Sequence, residues 1–225
     1  MRIGLFTGTN PQYNQDLRAL VNFAKEAERR GFDSVWLPNI FNLDAIGSCA
    51  IAGWETDHIE LGTAVTPTYP RHPGAIAQQA MTTQAACGGR FTLGIGLSHQ
   101  VVIEGMFGMS YDKPARHMTE YLQVLAPLLR GEAAEFEGET LTGKMQLDLP
   151  TVEPVPLLVA ALGPAMLKLA GTMAHGTTTW MTGPKTIAEH ILPLIAGAAE
   201  EAGHAAPRIV CGLPICLTDD VDGAR

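Results

Sequence analysis

The residues best suited to chemistry collect at a few junctions. Over residues 62–80 the stretch "GTAVTPTYPRHPGAIAQQA" passes from Thr- and Val-rich extended chain, through three prolines and an Arg-His pair, into an Ala/Gln-rich helix. A junction built only for packing could be shorter and blander, so a ligand is expected at the end of this strand. Two later junctions, "LGPAML" and "TGPKTI", place Gly163-Pro164 and Gly183-Pro184 at helix starts. Proline in the first helical turn sacrifices no hydrogen bond, and a preceding glycine lets a ligand approach the free amides, whose partial positive charge suits phosphate. Gly-Pro can also simply start a helix; the recurrence on consecutive strand-helix units favours a phosphate-bearing ligand. Ser98-His99 closes another strand, and an imidazole titrates near neutrality, so His99 is the candidate acid or base.

Other chemistries find no support in the spacing. None of the seven histidines forms an H-x-x-x-H pair or joins a carboxylate cluster, so no metal site is expected. There is no Ser-His-Asp set and no G-x-S-x-G elbow. An aldolase-type Schiff base would need a lysine at a strand end, whereas Lys168 and Lys185 fall within helical stretches. Cys49 and Cys87 lie in apolar helical stretches, while Cys211 and Cys216 fall on one expected strand at odd separation, facing opposite sides, so no disulfide is expected.

These groups need a frame, and the chain supplies a repeating one. "IGLFTGT" leads to a helix in which Leu17, Leu20, Val21, Ala24 and Ala27 recur at helical spacing up to a stop at Gly31. "DSVWLPN" and a second helix follow, then "HIELGTAVTP" with the Ala/Gln helix ending at Gly88-Gly89, then "RFTLGIGLS" with "PARHMTEYLQVLAPLLRG". "FEGETLTGKMQLD", residues 136–148, alternates polar and apolar residues as an excursion of two short strands would. The rhythm resumes with "VPLLVAALG", "TTTWMTG" and their helices, and a seventh strand is expected in "RIVCGLPICLTDD".

Strand-helix alternation with apolar strands predicts a parallel sheet covered by helices. An open dinucleotide-binding sheet would want G-x-G-x-x-G after an early strand, and the Gly-x-Gly of "LGIGLS" sits inside the fourth strand without the third glycine. The pattern therefore predicts an α/β TIM (β/α)8-type barrel, one domain over residues 1–225 with a short insertion at about 131–151. In a barrel the functional groups project from the C-terminal strand ends. Those ends hold Thr7, Thr9, Asn39, Thr63, Ala64, Val65, Thr66, Ser98, His99, Ala161, Leu162, Gly163, Thr182 and Gly183.

With 46% hydrophobic residues the 225-residue chain can bury a sizeable core. A net charge of -8 and a pI near 5.3 offer no basic surface for nucleic acid or anionic lipid. The apolar run at the N-terminus is too short for a signal peptide, and no segment approaches a membrane span, so a cytoplasmic protein acting on a small molecule is expected.

Taken together, "GTAVTPTYPRHPGAIAQQA", "GGRFTLGIGLSHQ" and "VAALGPAMLKLAG" resemble the bacterial luciferase-like superfamily, in particular its branch that uses the deazaflavin coenzyme F420. The resemblance covers residues 1 to about 220. It implies an incomplete-looking TIM barrel, a flavin or deazaflavin at the C-terminal mouth, and usually a homodimer. It also implies a bulge at the end of the third strand, often with a non-proline cis peptide, that presses on the back of the ring; carried onto this chain it is Thr63, Ala64 and Val65. Asn39 and Ser98 would then contact the ring or substrate. Ala161, Leu162 and Gly163, with Thr182 and Gly183, would hold the phosphate and ribityl chain. Arg71 is expected at the subunit contact and His72 as a cap.

Two departures from the family pattern bear on chemistry. The second strand ends in Asn39, where members often carry an Asp-His pair, and His99 stands where sugar-phosphate dehydrogenases of the branch place a Glu. The chain also stops after its seventh expected strand, although a barrel needs about 250 residues; the expectation is a barrel lacking its last strand-helix unit. The function expected is hydride transfer between F420 and a small organic substrate. The alternatives are an FMN-dependent luciferase-like monooxygenase and a non-catalytic flavin-binding protein.

Overall fold

A computed structural model describes residues 1–149, 153–220 and 222–223. The strands and helices in order are β1 (Gly4–Phe6), α1 (Pro11–Asn14), α2 (Leu17–Arg29), β2 (Ser34–Leu37), α3 (Ala45–Trp54), β3 (Glu60–Thr63), β4 (Thr66–Pro67), α4 (Pro73–Ala86), β5 (Phe91–Gly96), α5 (Gln100–Gly105), α6 (Pro114–Leu129), β6 (Ala134–Glu137) and β7 (Thr142–Met145). They continue with β8 (Leu157–Ala160), α7 (Pro164–Met173), β9 (Gly176–Trp180), α8 (Pro184–Thr186), a π-helical turn (Ile187–Ile191), α9 (Leu192–Glu201) and β10 (Arg208–Gly212).

The parallel strands lie in the order β1-β2-β3-β5-β8-β9-β10, and β4 also pairs with β5, so β3 and β4 form one interrupted barrel strand. The result is a TIM-type barrel of seven strand positions, in which no strand among the described residues joins β10 to β1. The expected excursion is an antiparallel hairpin of β6 and β7. Glu120 on α6 secures it by accepting from the Glu139 and Thr140 amides and the Thr140 hydroxyl, at 2.7–3.1 Å.

Alternation along each strand separates two interiors. Val35, Leu37, Leu61, Phe91, Leu93, Ile95, Leu157 and Val159 face the helices and are almost fully buried there against residues such as Leu20, Ile46, Ile76 and Leu125. The opposite faces fill the barrel. Trp36 covers Gly62, donates to Ser34 Oγ at 2.9 Å and carries the Arg208 guanidinium 5.3 Å from its ring. At the N-terminal end Glu60 accepts from Thr92 at 2.6 Å and from Arg208 at 2.5 and 3.0 Å, and pairs with Arg2. Burial raises the Glu60 pKa, but the hydrogen bonds from Arg208 and Thr92 and the charges of both arginines outweigh burial and leave it below its ordinary value.

Several elements differ from the sequence expectation, each for a local reason. The seventh strand ends at Gly212 and not near Asp220, because Leu213 is followed by Pro214, which has no amide hydrogen for the ladder. Cys216 is therefore outside the strand and exposed. The helix expected from residue 184 onwards contains a π-helical turn just before Pro193, which cannot bond to the Glu189 carbonyl and crowds it. Short helices α1 and α5 precede α2 and α6; Asn10 caps the first by accepting from Gln12 N. No helix among the described residues is long and apolar enough to cross a membrane.

Candidate functional site

The interruption between β3 and β4 is the central feature of the barrel mouth. Its Ala64–Val65 peptide is cis. The Ala64 amide donates to Leu37 O at 2.8 Å, and the Thr63 hydroxyl is held between Gly94 O at 2.7 Å and Gly94 N at 2.9 Å. That hydroxyl is thus committed within the barrel wall, so Thr63 supports the bulge from behind while Ala64 and Val65 are partly exposed at the mouth.

Glycines of the neighbouring strand make the bulge possible. A Cβ on Gly94 would stand 2.0 Å from the Thr63 carbonyl oxygen, and one on Gly96 would stand 2.6 Å from a Val65 methyl. The Gly-x-Gly of "LGIGLS" therefore has a steric purpose: it vacates the volume that the bulge occupies. Ala160 faces Gly96 from the other side and keeps that part of the mouth shallow.

Left-handed backbone marks two further strand ends. Ser98 after β5 has φ 63° and Met181 after β9 has φ 54°. Such conformations are costly for residues with a side chain and concentrate at functional sites. The Tyr111 hydroxyl donates to Ser98 O at 3.2 Å. His99 is exposed at the start of α5; its ring makes no capping hydrogen bond, while its carbonyl accepts from the Val102 and Ile103 amides.

Asn39 uses its Oδ1 to accept from Ala45 N at 3.1 Å, leaving its amide nitrogen directed by that bond and available. Asp44 caps α3 through Gly47 N and pairs with Arg71 at 3.1 Å. Arg71 thus has an ion-pair partner within the chain. His72 caps α4 as expected, accepting from Gly74 N at 3.1 Å, and its Nε2 lies 3.0 Å from Thr142 O on the hairpin.

On the far side, β8 and β9 are neighbours, so the starts of α7 and α8 lie side by side. Gly163 and Gly183 precede these helices in extended conformation, and neither helix has a side-chain cap. Their first-turn amides have no intrahelical acceptor. His190 Nε2, on the π-helical turn after α8, is 2.8 Å from Leu162 O and ties that turn to the segment before α7. Leu162 and Gly163 are exposed, whereas Ala161 is buried towards the helices. Thr182 is also buried, its hydroxyl 3.4 Å from Trp180 O, so Gly183 is the more accessible of that pair.

A group of aromatic residues beside the bulge was not anticipated. Tyr69 stacks on His117 with ring centres 3.9 Å apart and on Tyr111 at 5.1 Å. The Tyr69 hydroxyl is buried with no hydrogen-bond partner, and burial, with Tyr111 and Asp112 nearby, pushes its pKa up to about 12. Burial lowers the His117 pKa although Glu120 opposes it, and its Nε2 meets the Thr68 hydroxyl at 3.0 Å. Tyr69 lies inside the proline-rich stretch that marked the junction, but its partners are some 40 residues or more further along the chain, and no local pattern connects them. Among the described residues no group of His, Cys, Asp or Glu could hold a metal ion.

Fold and mouth together define a parallel TIM-type barrel with a bulged third strand and two uncapped helix starts opposite it. The family model for the luciferase-like monooxygenases matches residues 1–225, and the chain belongs to that family. Among its relatives, the 5,10-methylenetetrahydromethanopterin reductase of Methanolobus tindarius is 29% identical over 208 residues, covering 92% of this chain and 63% of the relative. The F420-dependent glucose-6-phosphate dehydrogenase of Nakamurella multipartita is 30% identical over 223 residues, covering 92% and 65%. The solved coenzyme F420 dependent tetrahydromethanopterin reductase of Methanopyrus kandleri superposes with a TM-score of 0.80 at 25% identity, covering 93% of this chain and 65% of that one. The chain therefore spans just under two thirds of the length of these relatives.

Proposed function

We propose that the protein is an oxidoreductase that binds coenzyme F420 at the barrel mouth and moves a hydride between it and a small organic substrate. The observation that carries this reading is the β3–β4 interruption, for which Gly94 and Gly96 vacate the space. It offers a main-chain surface with only the small side chains of Ala64 and Val65, suited to one face of a flat ring. The F420 dependence of the relatives supports the choice of cofactor.

The residues at the mouth fit such a group. Ala64 and Val65 would back the ring, the free amide nitrogen of Asn39 would donate to a ring acceptor, and Ser98 would line its edge. Gly163 and Gly183 would bring the uncapped first-turn amides to the phosphate, with Ala161, Leu162 and Thr182 shaping the channel for the ribityl chain. The deazaflavin, when bound, supplies the two-electron chemistry that no side chain here can perform. In the oxidation of an alcohol the bound cofactor would serve as acceptor for the carbinol hydride, and the hydroxyl proton would need an acceptor in the protein. His99, exposed and uncommitted at the mouth, would accept that proton and return it in the reverse direction.

A cytoplasmic, homodimeric protein built as one barrel domain with the β6–β7 insertion belongs to the same proposal. The exposed Ile51 and Trp54 on α3 form an apolar face that a second subunit would cover. The second reading, an FMN monooxygenase, is favoured by the name of the matching family. Titration with F420 and separately FMN, followed by fluorescence quenching at fixed salt, separates the two. Micromolar F420 binding with weak FMN binding supports the proposal; the reverse preference supports the monooxygenase, and binding of neither removes both.

A further inference from the structure

Resting on the cofactor site proposed above, we infer that the substrate is a neutral, largely apolar molecule and not a phosphate ester or other polyanion. The first support is the wall of the mouth. Phe41, Phe107, Trp180 and Met181 are between 43% and 64% exposed, and all belong to C-terminal strand ends or to the segments that follow them. Phe41 follows β2 and Phe107 follows β5, and their rings lie 6.2 Å apart. Since β3 lies between β2 and β5, this pair bridges the mouth across the bulged strand. Trp180, at the end of β9, packs on Phe6 of β1 at 5.0 Å and gives the opposite wall a second aromatic surface.

The second support is charge. In the described segments that lead from each strand end to α2, α3, α4, α6, α7 and α8, with α1 and α5 included, and in the described residues after β10, the only lysines and arginines are Arg71 and Lys113; Lys185 follows in the first turn of α8, beside Gly183. Both are paired, Arg71 with Asp44 at 3.1 Å and Lys113 with Glu139 at 2.5 Å. His72 is also committed, between Gly74 N and Thr142 O. The same segments carry Asp16, Asp44, Glu104, Asp112, Asp219, Asp220 and Asp222. The two uncapped helix starts, with Lys185 beside one of them, are assigned to the cofactor phosphate, so a phosphorylated substrate would bring a second dianion to a mouth whose loops, among the described residues, hold no unpaired arginine or lysine. Desolvating such a charge without a partner is strongly unfavourable, whereas exposed aromatic and aliphatic walls gain from covering an apolar body. In substrate this chain is thus inferred to differ from the glucose-6-phosphate dehydrogenase it resembles.

The test is ligand-observed saturation-transfer NMR on the F420-loaded protein, with cyclohexanone and glucose 6-phosphate as probes. Cyclohexanone is expected to bind at least about tenfold more tightly than glucose 6-phosphate, and Phe107→Ala, at a partly exposed position, to weaken it by about tenfold. Phe107→Lys is expected to narrow the preference by strengthening glucose 6-phosphate binding. Loading is measured first, by F420 fluorescence. Failure to load removes the cofactor reading and this inference with it. Normal loading with glucose 6-phosphate preferred, or with no cyclohexanone binding, overturns the substrate inference alone.

Discussion

Replacing Gly94 with alanine tests how the mouth is built. The added Cβ would lie 2.0 Å from the Thr63 carbonyl oxygen and 3.3 Å from a Val65 methyl. The first distance is about 1.5 Å short of ordinary contact at ~3.5 Å. Its neighbour is main chain, held by the Thr63 hydroxyl on both the amide and the carbonyl of residue 94, so it cannot rotate aside as a side chain would. Overpacking in a core costs about 1–3 kcal/mol, and a backbone neighbour puts this case at about 3 kcal/mol. For a chain of this size that corresponds to a fall in Tm of roughly 6–12 °C. A displacement of ~1 Å in the surface that backs the ring would also cost up to about 100-fold in function, so F420 affinity is expected to fall at least about tenfold. The control is Gly197→Ala in α9, where an added Cβ meets nothing within 4 Å. It is expected to stabilise by about 0.5–1 kcal/mol, because alanine loses less backbone entropy in a helix. Calorimetry and the F420 titration read both variants. A Gly94→Ala protein that melts like the parent and binds F420 equally would refute the steric account of the bulge.

Three other perturbations have expected outcomes. Arg90 donates to Ile59 O and Thr56 O at 2.7 Å and to Gly53 O at 2.9 Å, joining the end of α3 to the start of β3. Arg90→Ala should cost about 2–4 kcal/mol in urea unfolding, and Arg90→Lys should recover little of it, since an ammonium lacks the planar fork. Glu60 has a lowered folded-state pKa, so its contribution is fully present above the ordinary value of 4.5 and is lost as pH falls through the lower folded value. Glu60→Gln should therefore destabilise by about 3 kcal/mol at neutral pH, and the gap to the parent should close on acidification below 4.5; a gap that widens there would contradict the network. His99→Asn should leave the F420 dissociation constant within about twofold while lowering kcat by roughly 10²-fold or more. Unchanged turnover would remove His99 from the proposed proton transfer.

The order of strands and helices was legible in the sequence because it rests on short-range periodicity. Leu17, Leu20, Val21, Ala24 and Ala27 need only helical spacing to declare one face, and the apolar run of "VPLLVAAL" needs only its length and flanks. Caps were equally local: His72 before Pro73, and Gly163 and Gly183 before their prolines, act within two or three residues of themselves. The end of the last strand at Gly212 was misplaced because β-branched and apolar residues continue past Pro214, and only the missing amide stops the ladder.

By itself, then, the sequence determined the barrel class and the junctions between strands and helices, since each follows from residue type and near-neighbour pattern. Tertiary structure alone decided what the Gly-x-Gly of the fourth strand is for. Gly94 and Gly96 are empty because Thr63 and Val65, 31 residues earlier, occupy the space in front of them. It also decided that the Thr63 hydroxyl faces the wall and not the mouth, and that Tyr69 finds its stacking partner in His117, 48 residues on. The reason is physical: parallel strands bring residues tens of positions apart into contact at van der Waals range. Which atom takes up a shared volume there depends on the register between strands, which no single strand encodes.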